Sequence, residues 1–87
     1  MIYLKKISSE KGLIVVLCDR DLYGKEFVEE DVVLNINEFY KGEEVNDVDE
    51  KTLEDAVLIN AIGKKSIEIL IKHSIINEED LKEVRYV

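Results

Sequence analysis

The pattern of apolar and polar positions at the start of the chain predicts a β-hairpin. Residues 2–7 partly alternate between apolar and polar side chains, whereas residues 13–18 form a continuous apolar run rich in β-branched side chains. Residues 8–12, between them, carry the Ser and Gly of a turn. Because an unbroken apolar run is typical of a strand covered on both faces, we expect the second strand to be central and the first to lie nearer an edge of the sheet.

Further strands are predicted in the middle of the chain. Between residues 25 and 36 the apolar positions are interrupted by the acidic residues 29–31, which favours either one long strand with a bulge or two short strands. The strand at 32–36 is the better defined part. Residues 37–46 are predicted to form a polar loop that carries two aromatic residues and a glycine.

Two consecutive helices are predicted next. Asp47 or Asp49 can cap the first helix, and acidic side chains in its first turn suit the positive end of the helix dipole. Gly63 is placed to end this helix, and Lys64 begins the second one. The predicted inner face of the first helix consists of Leu53, Ala56, Val57, Asn60 and Ala61. The apolar stripe of the second consists of Ile67, Leu70 and Ile71.

The order of these elements predicts the fold class. Asn77 can start a third, short helix, and residues 84–87 can form a last strand. Strands followed by helices, with no repeat or linker, indicate a single α+β domain over residues 1–87. We expect a small two-layer domain with a mostly antiparallel sheet of three to four strands, covered by two consecutive helices.

Composition and charge restrict the class of protein further. Hydrophobic residues make up 46% of the 87 residues, which is enough for one core, and the net charge is −8. That charge repels phosphate and acidic membranes, so nucleic-acid binding requires a local basic patch. With no long apolar block and a single cysteine, we expect a cytoplasmic protein without membrane attachment. Abundant Lys and Glu favour a thermophilic source.

The residue spacing suggests one phosphate-binding motif and one calcium-binding motif, but particular residues do not fit either of them. Gly63-Lys64-Lys65-Ser66 resembles the end of a phosphate loop, but Leu58 stands where an earlier Gly is required, and a helix is predicted to precede the motif. Asp19, Asp21, Gly24 and Glu30 match part of a calcium-loop spacing, but Tyr23 replaces an oxygen ligand and the flanks are predicted strands. We therefore expect no metal or other cofactor, and a solvated turn in which Asp19 or Asp21 accepts backbone N–H bonds.

Catalysis by a thiol has little support in the sequence. Cys18 ends an apolar strand, where a small buried packing residue is expected, and the adjacent Asp19 would raise the pKa of a thiol. His73 is the only histidine, and it falls near the end of the second predicted helix. No third member of a catalytic set is identifiable.

Aromatic residues in the polar loop allow two interpretations. Phe39 and Tyr40 can stack on a base or anchor a partner, or Phe39 can close the core while Tyr40 covers its edge. Asn60 is the other unusual residue, because an amide on an apolar face either caps a neighbouring loop or recognises a ligand. If strands 13–18 and 25–36 pair directly, the turn at Gly24 and the Phe39 loop lie at opposite ends of the sheet. A non-adjacent strand order or a fold-back of the Phe39 loop would bring them together.

Four short motifs extend over nearly the whole chain. They are Val16-Leu17-Cys18-Asp19, Asp21-Leu22-Tyr23-Gly24-Lys25-Glu26-Phe27, Phe39-Tyr40-Lys41-Gly42, and Ala61-Ile62-Gly63 with Asn60 before it. Together they resemble the archaeal family known as domain of unknown function 424. The resemblance implies no established activity, and members of that family are described only as predicted RNA-binding proteins. The family pattern continues into a Pro-His-Ala-Gln ending, and no role is carried over from it.

These observations predict a set of binding residues and three functional classes. The binding candidates are Asp19, Gly24, Lys25, Phe39, Tyr40, Asn60, Gly63 and Lys64. The first hypothesis is a non-catalytic module that binds RNA or a ribonucleoprotein through a local basic patch, with Lys65 as a further contact. The alternative is a protein-interaction or self-associating domain, including a homodimer, with Phe39 and Tyr40 in its apolar patch. A small-ligand enzyme ranks behind both.

Overall fold

The computed structural model describes residues 1–75. Six β-strands and two α-helices lie in this part of the chain, together with short 3₁₀ turns at Arg20–Leu22 and Glu38–Tyr40. In chain order the elements are β1 (Ile2–Ser9), β2 (Gly12–Asp19), β3 (Glu26–Glu29), β4 (Val32–Asn35), β5 (Glu43–Val45), α1 (Glu50–Asp55), β6 (Ala56–Ile62) and α2 (Lys64–Lys72). The helix predicted at Asn77 and the strand predicted at 84–87 fall outside the described residues.

Four strands form the main sheet in the order β5-β1-β2-β6. The predicted hairpin is confirmed: β1 and β2 pair antiparallel, with Ile2 opposite Asp19. The expectation that β1 lies nearer an edge is wrong, because β5 pairs antiparallel with it on its outer side. On the other side, β6 pairs in parallel with β2, which makes β2 a central strand as predicted. Residues 15–19 of β2 are all buried.

The predicted strand region between residues 25 and 36 forms two short strands. β3 and β4 make an antiparallel two-stranded ribbon that is separate from the main sheet, with Val28 opposite Val33. The fold class is therefore α+β as expected, and three of the four strand pairings are antiparallel.

The first predicted helix is much shorter than expected, because α1 ends at Asp55 and residues 56–62 form β6 instead. This corrects the placement of Asn60 on a helical face and of Gly63 at a helix end: Asn60 lies in β6, and Gly63 follows that strand. The physical reason is that β2 is buried and needs hydrogen-bond partners along both edges. The uncharged segment 56–62 supplies the second edge, so the two helices are separated by a strand.

Apolar clusters lie on both faces of the main sheet. One is formed by Ile2, Leu4, Val15 and Leu17 with residues of both helices, including Leu53, Ile67 and Leu70. The smaller cluster contains Cys18, Ile36 and Ile62, against which Leu22, Phe27, Leu34 and Tyr40 pack. Because successive side chains of a strand point to opposite faces, the 3₁₀ turns and the ribbon base lie on the face away from the helices. None of the helices in residues 1–75 is long and apolar enough to cross a membrane.

Candidate functional site

The carboxylate of Asp19 holds the start of α2. The backbone N–H of Lys65 donates to Oδ2 at 3.0 Å, and the N–H and the hydroxyl of Ser66 each donate to Oδ1 at 2.8 Å. Asp19 and Ser66 are both buried, with 4% and 0% of their surface exposed. A helix begins with N–H groups that have no partner within the helix, and it carries partial positive charge at that end. Asp19 therefore caps α2 from a neighbouring strand.

Gly63 makes this approach possible. Its φ angle is +105°, and a Cβ atom there would lie 2.3 Å from Cγ of Asp19. Because β2 and β6 are parallel, their carboxyl ends meet at one edge of the sheet, where Cys18 is opposite Ile62. Two of the predicted binding residues, Asp19 and Gly63, are thus in direct contact, and Lys64 follows as the exposed first residue of α2.

Residues of the phosphate-loop and calcium-loop patterns meet at the capped start of α2. One ground for rejecting a phosphate loop was wrong, since a strand, and not a helix, precedes Gly63. The N–H groups of Lys65 and Ser66 are nevertheless taken by the carboxylate of Asp19, at the place where a phosphate would bind. Asp19 accepts backbone N–H bonds as expected, but they come from the start of α2, and its carboxylate is buried and not part of a solvated turn.

Cys18 and His73 lie in different surroundings. Cys18 is completely buried, and its burial, together with the charges of Asp19 and Asp21, raises the pKa of the thiol to about 11. His73 follows α2, and its Nε2 lies 2.9 Å from Oδ1 of Asp47. Lys72 donates to the other carboxylate oxygen of Asp47 at 2.6 Å, and these contacts hold the pKa of that carboxyl well below its usual range. Within residues 1–75 the thiol and the imidazole make no contact.

Gly24 and Lys25 lie at the base of the β3–β4 ribbon. The N–H of Gly24 donates to the carbonyl of Ile36 at 2.7 Å, and the N–H of Ile36 donates to the carbonyl of Lys25 at 2.9 Å. These bonds place the Tyr23–Lys25 turn beside the chain that leads into Phe39. The alternative of a non-adjacent strand order is therefore the one realised, because β3 pairs with β4 and not with β2.

Three aromatic and two lysine side chains in this region contact one another in two sets, Lys5 with Phe39 and Tyr40, and Lys41 with Tyr23. We call these five residues the aromatic–lysine surface. The Nζ of Lys5 lies 4.6 Å from the centre of the Phe39 ring and donates to the Phe39 carbonyl at 3.1 Å. The Nζ of Lys41 lies 5.7 Å from the centre of the Tyr23 ring. Both distances are typical of cation–π contacts.

Aromatic contacts fix the orientation of the rings in this surface. Phe39 and Tyr40 pack edge to face with their centres 5.1 Å apart, and Tyr3 packs in the same way on Tyr23 at 5.9 Å. Tyr40 contacts the smaller core cluster, whereas 45% of Phe39 is exposed. The interpretation in which Phe39 closes the core is therefore wrong, since Tyr40 takes that position and leaves Phe39 at the surface.

Seven of the eight predicted binding residues thus fall into two groups, and Asn60 lies apart from both. Asp19, Gly63 and Lys64 lie at the start of α2, and the other group comprises Gly24, Lys25, Phe39 and Tyr40. Both groups border the smaller core cluster, to which Cys18, Ile62 and Tyr40 belong. Asn60 is half-buried in β6 opposite Val16, and no hydrogen bond within residues 1–75 joins its amide to another candidate.

Sequence reasoning missed four residues that the structure adds to these groups. Tyr23, whose ring is contacted by Lys41, was considered only as a residue that breaks the calcium-loop spacing and as part of a family motif. Ser66 was considered only within the rejected phosphate loop, and its hydroxyl is a capping donor. Lys5 lies in the alternating segment of β1, where no local pattern relates it to Phe39. Lys41 follows Tyr40 directly, and that position was the one available signal that a lysine accompanies the aromatic pair.

The fold and site define a small α+β protein with a mixed four-stranded sheet and an aromatic–lysine surface beside a two-stranded ribbon. Residues 7–87 match the family described as a protein of unknown function, DUF424, and the chain belongs to that family. The crystal structure of an uncharacterized conserved protein from Methanopyrus kandleri is similar in fold, with a TM-score of 0.74 and 20% identity over 91% of this chain and 78% of that one. No curated protein matches this chain significantly.

Proposed function

We propose that this protein is a non-catalytic module that binds unpaired RNA, alone or within a ribonucleoprotein, through the aromatic–lysine surface. The observation that carries the proposal is the close interleaving of lysine ammonium groups with partly exposed aromatic rings, with Lys5 at 4.6 Å from the Phe39 ring. Single strands are bound by stacking of bases on aromatic side chains and by basic groups that contact the phosphates.

Local charge supports this proposal against the acidic character of the whole chain. Lys5 lies over the Phe39 ring and Lys41 over the Tyr23 ring. Lys25 lies in the turn next to Tyr23, where Glu38 is also close, whereas Arg20 is paired with Glu44 at 2.9 Å. The net charge of −8 repels RNA at long range. Binding by this surface therefore depends on short-range contacts, and it weakens steeply as salt screens the three lysines.

Fluorescence anisotropy with a labelled single-stranded RNA of twelve nucleotides tests the proposal. If three lysines contact phosphate, the slope of log Kobs against log salt concentration is about −2. Phe39→Ala removes one stacking platform and weakens binding by about 5–150-fold. Lys5→Gln reduces the slope by about 0.7, whereas Lys6→Gln, on the opposite face of β1, serves as the control with equal loss of charge. Absent or salt-insensitive binding would contradict the proposal.

Self-association is a second candidate, and it is supported by the exposed side of the ribbon. Val28 and Val33 are 64% and 53% exposed, and they stand directly opposite each other in the strand register, so both lie on one face of the ribbon. Adjacent exposed valines on a ribbon are typical of contact surfaces. If copies associate through them, light scattering gives a mass that rises with concentration, and a Val28→Ser, Val33→Ser double variant remains monomeric. A monomeric wild type at high concentration excludes this candidate.

A further inference from the structure

A recess opens between the Tyr23–Lys25 turn and the segment that leaves β4. It has a volume of about 330 Å³ and lies beside the aromatic–lysine surface, with Tyr23 common to both. The side chains that line it offer one aromatic ring, one ammonium group, two amides and one carboxylate. They belong to Tyr23, Lys25, Asn35, Asn37 and Glu38.

Backbone groups that join the two sides of the recess are hydrogen-bonded to each other. The side chains are therefore the groups that can contact a ligand. The N–H of Gly24 donates to the carbonyl of Ile36 at 2.7 Å, and the N–H of Ile36 donates to the carbonyl of Lys25 at 2.9 Å. Gly24 also lines the recess, and a Cβ atom there would meet nothing within 4 Å. The missing side chain therefore leaves the backbone open to close approach by a flat group.

Two amides at this site have hydrogen-bonding groups to spare. Oδ1 of Asn37 accepts from the N–H of Phe39 at 3.1 Å, which fixes this side chain and leaves its amide N–H groups free to donate. Within residues 1–75, the side-chain amide of Asn35 has no hydrogen-bond partner. Side-chain amides and carboxylates are the groups that proteins use to distinguish the edges of nucleobases.

We propose that this recess receives one unpaired adenine or cytosine base, in preference to uracil. The base lies next to the Tyr23 ring, whose orientation is fixed by Tyr3 at 5.9 Å, and Lys25 contacts the adjoining phosphate. Asn35 and Glu38 read the edge of the base. The ionised carboxylate of Glu38 accepts hydrogen bonds and cannot donate them. It therefore accepts from the amino group of adenine or cytosine, whereas uracil has a carbonyl oxygen at that position. This inference rests on the proposed RNA binding and specifies its ligand.

Base preference is measured by anisotropy with labelled rA12, rC12 and rU12. We expect rU12 to bind about tenfold more weakly than the other two. Glu38→Gln supplies an amide that both donates and accepts, so this difference is expected to shrink to about twofold or less. Asn35→Val, chosen to suit a strand, lowers affinity for rA12 and rC12 about tenfold. The matched controls are Glu43→Gln and Asn46→Val, exposed residues outside the recess, and they leave the preference unchanged.

A titration with AMP, CMP and UMP distinguishes failure of this inference from failure of RNA binding. The chemical shifts of the backbone amides of the isotope-labelled protein are followed by NMR. If the recess binds a base, the signals of Gly24 and Asn37 shift with AMP and CMP more than with UMP, even if long RNA does not bind. RNA binding with no base preference, or equal shifts for the three nucleotides, overturns the inference and leaves the proposed function intact. Loss of oligonucleotide binding alone overturns only the proposed function.

Discussion

Removing the carboxylate of Asp19 tests how α2 is attached to the sheet. Asp19→Ala deprives two backbone N–H groups and the Ser66 hydroxyl of their acceptor. A buried polar group left without a partner costs about 1–3 kcal/mol, and the loss of an interaction with a helix start costs about 1 kcal/mol. Water can reach Lys65, which is exposed, but not the fully buried Ser66. We therefore expect a loss of about 3 kcal/mol.

That loss is large for a protein of this size. At about 0.05–0.15 kcal/mol per residue, the free energy of unfolding of an 87-residue protein is about 4–13 kcal/mol. A loss of about 3 kcal/mol lowers Tm by about 12–24 °C and the urea midpoint by about 1–3 M. Circular dichroism during thermal and urea unfolding measures both quantities.

Two further variants separate capping from the loss of a charge. Asp19→Asn keeps the volume and one carbonyl acceptor, but its NH₂ group faces a donor N–H, so we expect an intermediate loss. Asp21→Asn removes an equal charge from an exposed residue two positions along, and its effect should lie within about 0.5 kcal/mol of zero. If Asp19→Asn and Asp21→Asn unfold at the same urea concentration, the capping role is refuted.

A double-mutant cycle with Gly63→Ala examines the close contact directly. In the wild type the new Cβ would lie 2.3 Å from Cγ of Asp19, in addition to the strain of a φ angle of +105°. In the Asp19→Ala background the clash is gone and only the strain remains. The double variant should therefore be more stable than the sum of the single losses implies, by about 0.5–3 kcal/mol. Strictly additive losses would show that the two residues do not touch.

Three other predictions follow from buried and paired groups. Because burial raises the pKa of Cys18 from 9.0 to about 11, iodoacetamide at pH 8 should modify it about 100-fold more slowly in the folded protein than in urea, and equal rates would contradict its burial. The pKa of Asp47 is lowered by its contacts with Lys72 and His73, so its contribution to stability is present above the ordinary pKa of about 4 and is lost as the pH falls. The urea midpoint of Asp47→Asn should accordingly lie below that of the wild type at pH 7 and approach it toward pH 3. Gly42→Ala would place a Cβ 2.3 Å from a backbone oxygen of β1, and it should lower Tm, whereas an unchanged Tm would mean that β5 is not packed there.

The amino-terminal hairpin and the central position of β2 could be predicted from sequence because they depend on local order. A partly alternating segment, a turn and an apolar run are adjacent in the chain, so each strand finds its hydrogen-bond partner in the next segment of the sequence. The α+β class followed from the same kind of pattern. Even there, the position of β1 inside the sheet depended on β5, whose residues 43–45 carry two glutamates and no clear strand pattern.

The tertiary structure alone decided the identity of β6 and the composition of both candidate groups. Residues 56–62 fit an apolar helical face as well as a strand, and the need of β2 for a second hydrogen-bonded edge resolved the ambiguity. Asp19 reaches its partners Lys65 and Ser66 across 46 and 47 residues of chain. Lys5 reaches Phe39 across 34 residues. Such contacts arise from how strands pair and which edges meet, and no local periodicity encodes them.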